Sequence, residues 1–173
     1  NLISPDSDQF SWQRHIVDSL QLTPLVPPNA RKMLDVGSGG GLPAIPLAIA
    51  SKFLDLPALS ITLVESDSRK SVFLKHMIRQ HRLAAEVKNQ RIESLDLEKF
   101  DLIACRAFRS LTDIFTLLSR FSHTNSTWIL PKGRNWKAEI EVAKLKWHFE
   151  FTTQQSQTDS DARILIVTQV TKK

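Results

Sequence analysis

Residues 34–43 read Leu34-Asp35-Val36-Gly37-Ser38-Gly39-Gly40-Gly41-Leu42-Pro43 and hold four of the chain's five glycines. A short apolar run precedes this stretch, and a helix-like run, 42–50, follows it. Strand, glycine-rich turn and helix in that order begin a Rossmann-like nucleotide-binding unit, because glycine lets the backbone turn sharply and approach a ligand closely. The stretch therefore predicts an α/β fold with a mostly parallel sheet.

The spacing of the glycines separates two kinds of ligand. Gly37, Gly39 and Gly41 give G-x-G-x-G, whereas the dinucleotide fingerprint G-x-G-x-x-G requires glycine where Leu42 stands. Asp35, at the end of the preceding strand, would repel a phosphate and attract a cation. The pattern resembles motif I of methyltransferases that use S-adenosylmethionine (SAM), so Asp35 and the three glycines are predicted cofactor contacts. The alternative is an ordinary glycine loop between a strand and a helix.

A second signal lies about two dozen residues after the glycines. The run 60–65, SITLVE, is rich in β-formers and ends in the carboxylate of Glu65. A Rossmann-like fold places an acidic residue at the tip of its second strand, where it accepts hydrogen bonds from a ribose diol. We predict that Glu65 is this ribose ligand, with Asp67 as the alternative.

The composition limits the class of protein. A chain of 173 residues with 42% hydrophobic and 24% charged residues predicts a single soluble domain. One cysteine excludes an internal disulfide framework, and the five scattered histidines disfavour a metal site. No apolar run approaches membrane-spanning length, so we expect a cytoplasmic protein without membrane contact. The net charge of +5 and the pI near 9.6 fit a polyanionic partner.

Hydrophobic periodicity predicts alternating strands and helices along the chain. The predicted helices are 8–22, 42–53, 68–82, 111–121 and 136–145, and the predicted strands are 32–36, 60–65, 85–89, 101–105, 127–130, 148–153 and 164–170. The last two strands follow each other without a helix and form a hairpin. This order is the class I methyltransferase arrangement: seven strands, helices on both faces and a C-terminal antiparallel hairpin. One domain, 1–173, is expected, with a helical lead-in at 1–30 and a Rossmann-like core at 31–173.

The residues after the fourth predicted strand bear on the acceptor. Arg106-Ala107-Phe108 stands where ligands bind in open α/β sheets, so Arg106 either pairs with an acid such as Asp35 or faces the cleft. The Asp/Asn-Pro-Pro-aromatic motif of amino-group methyltransferases is absent there. Because side chains alternate along a strand, Cys105 is expected to point away from the face of the sheet that Arg106 uses. Cys105 is therefore interpreted as a small buried thiol rather than as a nucleophile. Guanine N7, whose lone pair is free at neutral pH, fits these constraints.

Other residues near the predicted strand ends are candidates for adenine, RNA and base contacts. The turn Arg91-Ile92-Glu93 would lie beside an adenine, although an ordinary turn is an equal alternative for Ile92 and Glu93. Basic side chains there would hold RNA phosphates, although each alone is also an ordinary surface charge. The predicted RNA contacts are Lys70, Arg91, Lys132, Arg134 and Arg163, and the aromatic candidates for base stacking are Phe108, Trp136 and Trp12.

The chain resembles the RsmG (GidB) family of bacterial 16S ribosomal RNA methyltransferases over nearly its whole length. The residues that carry the resemblance are Asn1-Leu2, Arg14-His15-Ile16-Val17-Asp18-Ser19-Leu20, the stretch 34–43, Arg69-Lys70 with Phe73-Leu74, Arg106-Ala107-Phe108 and Lys132-Gly133. The departures are Glu65 for the usual aspartate, Lys70 for arginine, Ala44 for glycine and Pro131 for leucine. The family's additional N-terminal helices are missing, and the chain begins with Asn1 rather than Met, so a trimmed start is expected.

The resemblance implies a reaction and a set of site residues. It implies methylation of N7 of a guanine in the 530 loop (position 527) of 16S rRNA, with SAM as cofactor and S-adenosylhomocysteine as product. The implied cofactor positions are Gly37, Leu42, Ile92, Glu93 and Arg106, and the implied catalytic residues are Arg106, His15 and Lys132. The expected partner is 16S rRNA or the small ribosomal subunit, and the expected state is a monomer.

Three other functions compete with this one. A SAM methyltransferase that acts on a small molecule has the same fold, and RNA dependence of methyl transfer distinguishes it. A non-catalytic ribosome-binding module with a degenerate SAM fold would fail to bind SAM in calorimetry. A nicotinamide-dependent dehydrogenase is disfavoured by Leu42 and Asp35.

Overall fold

The carboxyl end of the first strand, where the glycine loop begins, lies near the middle of the sheet. The computed structural model describes residues 12–54 and 58–173. Within them, seven strands form one sheet in the order β3-β2-β1-β4-β5-β7-β6. The strands are β1 Lys32–Val36, β2 Ser60–Val64, β3 Ala85–Lys88, β4 Phe100–Ala104, β5 Ser122–Lys132, β6 Trp147–Gln155 and β7 Arg163–Lys172. Strands β1 to β5 are parallel and β7 is antiparallel to β5 and β6, which confirms the predicted fold class.

The helices lie on both faces of the sheet. A π-helical turn, Trp12–Val17, continues as the short helix α1, Asp18–Leu20. The longer helices are α2 Ala44–Phe53, α3 Ser68–His81, α4 Leu111–Leu118 and α5 Trp136–Lys144. Single 3-10 turns occupy Thr23–Leu25, Ile92–Ser94 and Ser119–Phe121. No helix in the described ranges is long and apolar enough to cross a bilayer.

Strand β1 shows how the sheet holds these helices. Its side chains alternate, so Leu34 and Val36 join the core on one face while Met33 joins the core on the other. The first core is rich in aromatic side chains; Phe115 of α4 meets Trp128 of β5 edge to face with ring centroids 5.5 Å apart. The second core packs α2 and α3 against β1 and β2. Because both faces of the sheet are covered, four of the five residues are buried in each of β1 and β2.

Two elements differ from the sequence predictions. The predicted helix 8–22 is partly outside the described residues, and its described part ends at Leu20 before a separate 3-10 turn that contains Pro24, whose ring nitrogen cannot continue a helical hydrogen bond. Strand β5 begins at Ser122 rather than at 127. The polar run 123–126 is held in the strand by Ser126, whose Oγ donates to the Phe100 carbonyl at 2.6 Å and accepts from the His123 amide at 2.8 Å.

Candidate functional site

The glycine loop leaves the carboxyl end of β1 with three residues at positive φ. Gly37, Gly39 and Gly41 have φ of 70°, 55° and 86°. The amide of Gly37 donates to the Val64 carbonyl of β2 at 3.0 Å, which ties the loop to the neighbouring strand. A Cβ at Gly41 would lie 2.5 Å from Cγ1 of Ile45, so packing against α2 as well as backbone conformation requires glycine there.

Glu65 closes the loop from the end of β2. Its side chain is 7% exposed, and its two oxygens accept hydrogen bonds from the amides of Gly39 and Asp67, each at 2.8 Å. Each oxygen keeps a further lone pair for a ligand. Asp67 instead caps α3, because its Oδ1 accepts from the amides of Arg69 and Lys70 at 2.8 and 3.1 Å. Of the two predicted carboxylates, Glu65 is therefore the one built into the loop.

A small cavity of about 110 Å³ lies beside Glu65. It collects residues that the sequence placed in three separate motifs; among its walls are Gly37, Glu65, Arg91, Ile92, Glu93 and Phe108. The carboxyl ends of β1 and β2 and the turn after β3 therefore converge as predicted. Leu42, two residues before the start of α2, is not among this cavity's walls.

Asp35 is buried below the loop without a visible partner. The residue is 0% exposed, and neither carboxyl oxygen has a hydrogen-bond partner among the residues that the structure describes. Burial raises the pKa of Asp35 to about 7; the nearby Ser38 hydroxyl, which donates to the Asp35 backbone carbonyl at 3.2 Å, opposes this rise, and the charge of Glu65 adds to it. A buried carboxylate without a partner is costly, so a cationic ligand group beside the loop would stabilise it.

A second and larger space opens where β4 and β5 end and β7 begins. This cleft has a volume of about 920 Å³. Its walls include the charged or ionisable residues Arg14, His15, Asp18, Arg106, Arg109, Lys132, Glu139, Asp159 and Arg163. The N-terminal segment, the ends of β4 and β5 and the β6–β7 loop all contribute, so side chains far apart in the sequence meet here.

Arg106 pairs with an acid and also faces this cleft. Its Nε lies 3.2 Å from Oδ2 of Asp18, and its terminal NH2 donates to the Arg14 carbonyl. The partner is therefore Asp18 rather than Asp35, which the sequence offered as an example. Oδ1 of Asp18 also accepts from Oγ1 of Thr158, at 2.6 Å. Asp18 thus links the segment before β1, the end of β4 and the β6–β7 loop.

His15 lies next to this ion pair. Neither ring nitrogen has a hydrogen-bond partner within the described ranges, and both are buried. Burial lowers the pKa of His15, and the positive charge of Arg106 lowers it further. The imidazole is therefore neutral at pH 7, with one ring nitrogen a donor and the other an acceptor.

Lys132 lines the cleft, but its ammonium is engaged. The Nζ atom lies 2.8 Å from Oε2 of Glu139 and donates to the Arg109 carbonyl at 2.7 Å. The same Glu139 oxygen accepts from the amide of Leu111, which fixes the start of α4. The sequence reasoning identified Lys132 and missed Glu139, because a single glutamate on an amphipathic helix belongs to no recognisable motif.

Phe108 stands between the two spaces. It lines both the small cavity and the larger cleft, as does Arg109. A Cβ at Gly37 would lie 2.8 Å from Cδ2 of the Phe108 ring, so the ring covers the start of the glycine loop. Ala107 has φ of 49°, and this left-handed turn carries the chain from Arg106 in the cleft to Phe108 above the loop.

The remaining predicted basic residues separate into three groups. Arg163 lines the cleft and lies 5.8 Å from the ring centroid of Trp136, and Arg91 lines the small cavity. Lys70, in the first turn of α3, and Arg134, in the exposed turn after β5, line neither space. Trp12 is 69% exposed in the N-terminal segment.

Cys105 is a buried thiol, as expected, but it lies in the wall of the same cleft as Arg106 and not on the opposite face. It is 2% exposed within the aromatic-rich core, and burial raises the pKa of its thiol to about 12. A thiolate nucleophile is therefore unavailable at neutral pH. In the described part of the chain, no three histidine, cysteine or acidic side chains come together as metal ligands would.

The chain is 38% identical to ribosomal RNA small subunit methyltransferase G of Rhizorhabdus wittichii, over 98% of this chain and 77% of that protein. It is 40% identical to the protein of the same name from a Ruegeria species, over 95% of this chain and 80% of that protein.

Among solved structures, the fold is similar to a ribosomal protein L11 methylase from Lactobacillus delbrueckii subsp. bulgaricus, with a TM-score of 0.66, 15% identity and coverage of 90% of this chain and 76% of that one. It is also similar to the Pyrococcus abyssi tRNA (uracil-54, C5)-methyltransferase in complex with S-adenosyl-L-homocysteine. That match has a TM-score of 0.60, 15% identity and coverage of 88% of this chain and 37% of the other. At these identities the likeness shows the fold alone.

The family model described as GidB, rRNA small subunit methyltransferase G, matches residues 1–165. This match and the relatives at 38–40% identity each cover nearly the whole chain. The chain therefore belongs to the GidB family of rRNA small subunit methyltransferases.

Proposed function

We propose that this protein transfers the methyl group of SAM to N7 of a guanine in 16S rRNA. The observation that carries the proposal is the pair of adjoining spaces at the carboxyl edge of the sheet, one beside the glycine loop and one lined by basic side chains. Phe108 lies at their boundary. The names of the relatives, all rRNA methyltransferases, support the same reaction class.

The residues around the glycine loop fit SAM. Asp35 is a buried carboxylate without a protein partner in the described part of the chain, and the aminoacyl group of SAM offers a cation. Glu65 retains acceptor capacity for a ribose diol, and Ile92 supplies an apolar wall for an adenine. SAM, when bound, supplies an electrophilic methyl group on a positively charged sulfur. We assign Asp35, Gly37, Gly39, Gly41, Leu42, Glu65, Ile92 and Glu93 to this half of the site.

The larger cleft suits a nucleotide that is presented from RNA. Asp18 and Glu139 each engage one cation of the cleft, Arg106 and Lys132 respectively. Three further arginines, Arg14, Arg109 and Arg163, line the cleft without an ion pair among the described residues, so the cleft keeps an excess of positive charge. We assign these arginines to phosphate contacts that position the target. Because this cleft opens next to Phe108, that ring is our candidate for stacking on the base.

The cleft's side chains suit an acceptor that needs no deprotonation. Guanine N7 carries a free lone pair at neutral pH, so catalysis consists of placing it in line with the methyl group and the sulfur. His15, which lines the cleft as a neutral imidazole, is our candidate for a contact with the base. Arg106, fixed by Asp18, is the residue that we propose holds the nucleotide at the reacting position, while Lys132 braces the wall formed by Arg109 and Glu139.

The proposed reaction is tested by labelled methyl transfer from SAM. Purified protein is incubated with 30S particles, naked 16S rRNA, or a panel of small-molecule acceptors. We expect label in RNA only. Label in a small molecule without RNA would support the rival enzyme, and absence of both transfer and SAM binding in calorimetry would support a non-catalytic module.

Removal of the Glu65 carboxylate is expected to weaken SAM binding. The variant Glu65→Ala should lose about 1–3 kcal/mol, the range for a missing hydrogen-bonding partner in a buried site. Asp67→Ala is the matched control: it removes the cap of α3, which lowers the free energy of unfolding by about 1 kcal/mol, but should leave SAM affinity unchanged. If the control loses affinity and Glu65→Ala does not, Asp67 is the ribose ligand.

SAM affinity is expected to depend on pH because the pKa of Asp35 is raised. Its pKa of about 7 means that the carboxylate forms as the pH rises from 6 to 8, so SAM should bind more tightly over that interval, by up to about tenfold per unit below the pKa. Asp35→Asn should bind weakly at every pH. The stability of the free protein should show the opposite trend, because a pKa raised from 3.8 to about 7 on folding makes the stability contribution fall as the pH rises from about 4 to about 7, after which it stays low. Thermal melting of the variant at pH 8 should therefore exceed that of the wild type.

Cys105 is expected to be dispensable for chemistry. Because its thiol stays protonated and N7 transfer needs no covalent intermediate, Cys105→Ala should retain methyl transfer within about threefold after correction for the small cavity left in the core. A protein–RNA adduct through Cys105, detected by denaturing gel, would overturn the assignment of the acceptor.

A further inference from the structure

We propose that the exposed face of α3 is a second RNA-binding surface that holds the phosphate backbone of a double-helical rRNA segment flanking the target. This inference rests on the proposed function and extends it beyond the cleft. The surface, called here the α3 stripe, consists of Arg69, Lys75, His76, Arg79 and Arg82 around the exposed side chain of Val72.

The spacing of these residues places them on one side of the helix. Arg69, Val72, Lys75 or His76, and Arg79 follow each other at intervals of three or four, which is the repeat of one helical face, and all of them are exposed. Ten residues separate Arg69 from Arg79, so the stripe runs straight for about 15 Å. Arg82, the exposed C-cap of α3, adds a further cation at the end of the helix. The opposite face carries Phe73, Leu74, Met77 and Ile78 into the core.

The charge of this face is of one sign. The helix Ser68–His81 contains no aspartate or glutamate, and Arg69, Lys75, Arg79 and Arg82 take part in no ion pair within residues 12–54 and 58–173. Lys52, at the end of α2, adds an ammonium beside the last turn, where it donates to the His81 carbonyl at 2.7 Å. Like charges four residues apart, such as Lys75 and Arg79, destabilise a helix by tenths of a kcal/mol.

Helix α5 shows what an ordinary exposed helix of this protein looks like. It mixes both signs, and Lys144 pairs with Glu141 at 2.9 Å, three residues apart. The α3 stripe has no such internal compensation. A polyanion that supplies phosphates at intervals along the helix would provide it, and a nucleic acid backbone has this form.

The side chains of the stripe favour double-helical RNA over single strands. Proteins that bind single strands stack the bases on exposed aromatic rings. The helix α3 has one phenylalanine, Phe73, and no tyrosine or tryptophan, and Phe73 packs against the core. A-form helices are recognised through their phosphates and riboses, which straight rows of arginine and lysine can contact. The stripe also begins at the right place, because the cap of α3, Asp67, follows Glu65 at the site edge of the sheet by two residues.

The experiment compares two triple variants of the full chain. The stripe variant carries Arg69→Gln, Lys75→Gln and Arg79→Gln, since glutamine keeps helix propensity similar to that of lysine and arginine. The control carries Lys146→Gln, Lys172→Gln and Lys173→Gln, which removes the same charge from exposed residues. Those lysines lie at the end of β7 opposite to Arg163, and hence at the edge of the sheet away from the cleft.

Both variants and the wild type are titrated with two RNA probes over a series of salt concentrations. The first probe is a 16S rRNA stem-loop that contains the target loop and its flanking helix. The second is the loop alone, as a short oligonucleotide. For the stem-loop, the stripe variant should lose roughly 10-fold to 100-fold in affinity, and the magnitude of its salt slope should fall by about 2–3, since each lost phosphate contact removes roughly 0.9. Its affinity for the oligonucleotide and for SAM, and its melting temperature, should match those of the wild type. The control should match the wild type throughout.

If the stripe variant and the control have the same stem-loop affinity and the same salt slope, the proposed α3 surface is wrong. It is also wrong if the stripe variant loses equal affinity for both RNA probes, because that result would indicate a general charge effect. These outcomes differ from a failure of the proposed function, in which the wild type itself neither binds nor methylates the RNA. If the wild type methylates RNA but the stripe variant has unchanged stem-loop affinity, only the proposal of the α3 surface is contradicted. The assignment of the cleft is then unaffected.

Discussion

A Gly37→Val variant is expected to lose SAM binding almost completely while it remains folded. Gly37 has φ of 70°, a region that costs a branched residue roughly 1–2 kcal/mol, and a Cβ there would lie 2.8 Å from the Phe108 ring. The added methyl groups would enlarge this clash and fill the space beside the small cavity that Gly37 lines. We expect a loss of at least about 100-fold in SAM affinity by calorimetry, which is roughly 2.7 kcal/mol.

Two other glycines make this prediction specific. Gly133→Val introduces the same side chain at a position with no atom within 4 Å of the new Cβ and no positive φ, so SAM affinity should be unchanged. Gly39→Ala isolates the backbone effect, because its Cβ would meet only the Gly37 carbonyl oxygen at 3.7 Å while φ is 55°. A loss of about tenfold is expected there. SAM affinity in Gly37→Val equal to that of the wild type would contradict the assignment of the loop.

Removal of Arg106 is expected to have the largest effect on turnover. Arg106→Ala deletes the guanidinium that reaches from the end of β4 into the cleft, and we expect methyl transfer to fall by roughly 100-fold, the loss that misplacement of a reacting group by about 1 Å produces. SAM affinity should change much less, since Arg106 lines the larger cleft and not the small cavity beside Glu65.

A variant of Asp18 tests whether turnover depends on the ion pair between Asp18 and Arg106. Asp18→Asn keeps the size of the side chain but removes the charge that pairs with Nε of Arg106 at 3.2 Å, so turnover should fall while binding of SAM is retained. The double variant should be no worse than Arg106→Ala alone, because residues that act as a unit are not additive. Additive losses would show that Asp18 acts independently of Arg106. Thermal melting of each variant controls for the link between Asp18 and Thr158.

The features that the sequence predicted well are those encoded over short distances. The glycine loop and Glu65 follow directly from strand–turn–helix patterns, because backbone conformation and strand direction fix where such residues go. The class of sheet followed from the alternation of helical and extended runs, and the hairpin of β6 and β7 was visible as two strands without an intervening helix.

The features that were missed depend on tertiary contacts. The pairing of Arg106 with Asp18 joins residues far apart in the chain, and nothing in their local sequences indicates which acid an arginine will meet. The start of β5 was missed because its residues are polar and are held by Ser126 rather than by apolar packing. Lys132 was recognised as a cation, but its engagement by Glu139 depends on how α5 packs against α4.

The measurement that tests the central proposal most directly is identification of the methylated atom. 16S rRNA, naked or in 30S particles, is treated with the protein and labelled SAM, digested to nucleosides and analysed by mass spectrometry, and the modified position is mapped by chemical cleavage at 7-methylguanosine. We expect a single 7-methylguanosine in the 530 loop with the wild type, and its near absence with Arg106→Ala. A methyl group on an exocyclic amine, on a pyrimidine carbon or on a ribose would contradict it.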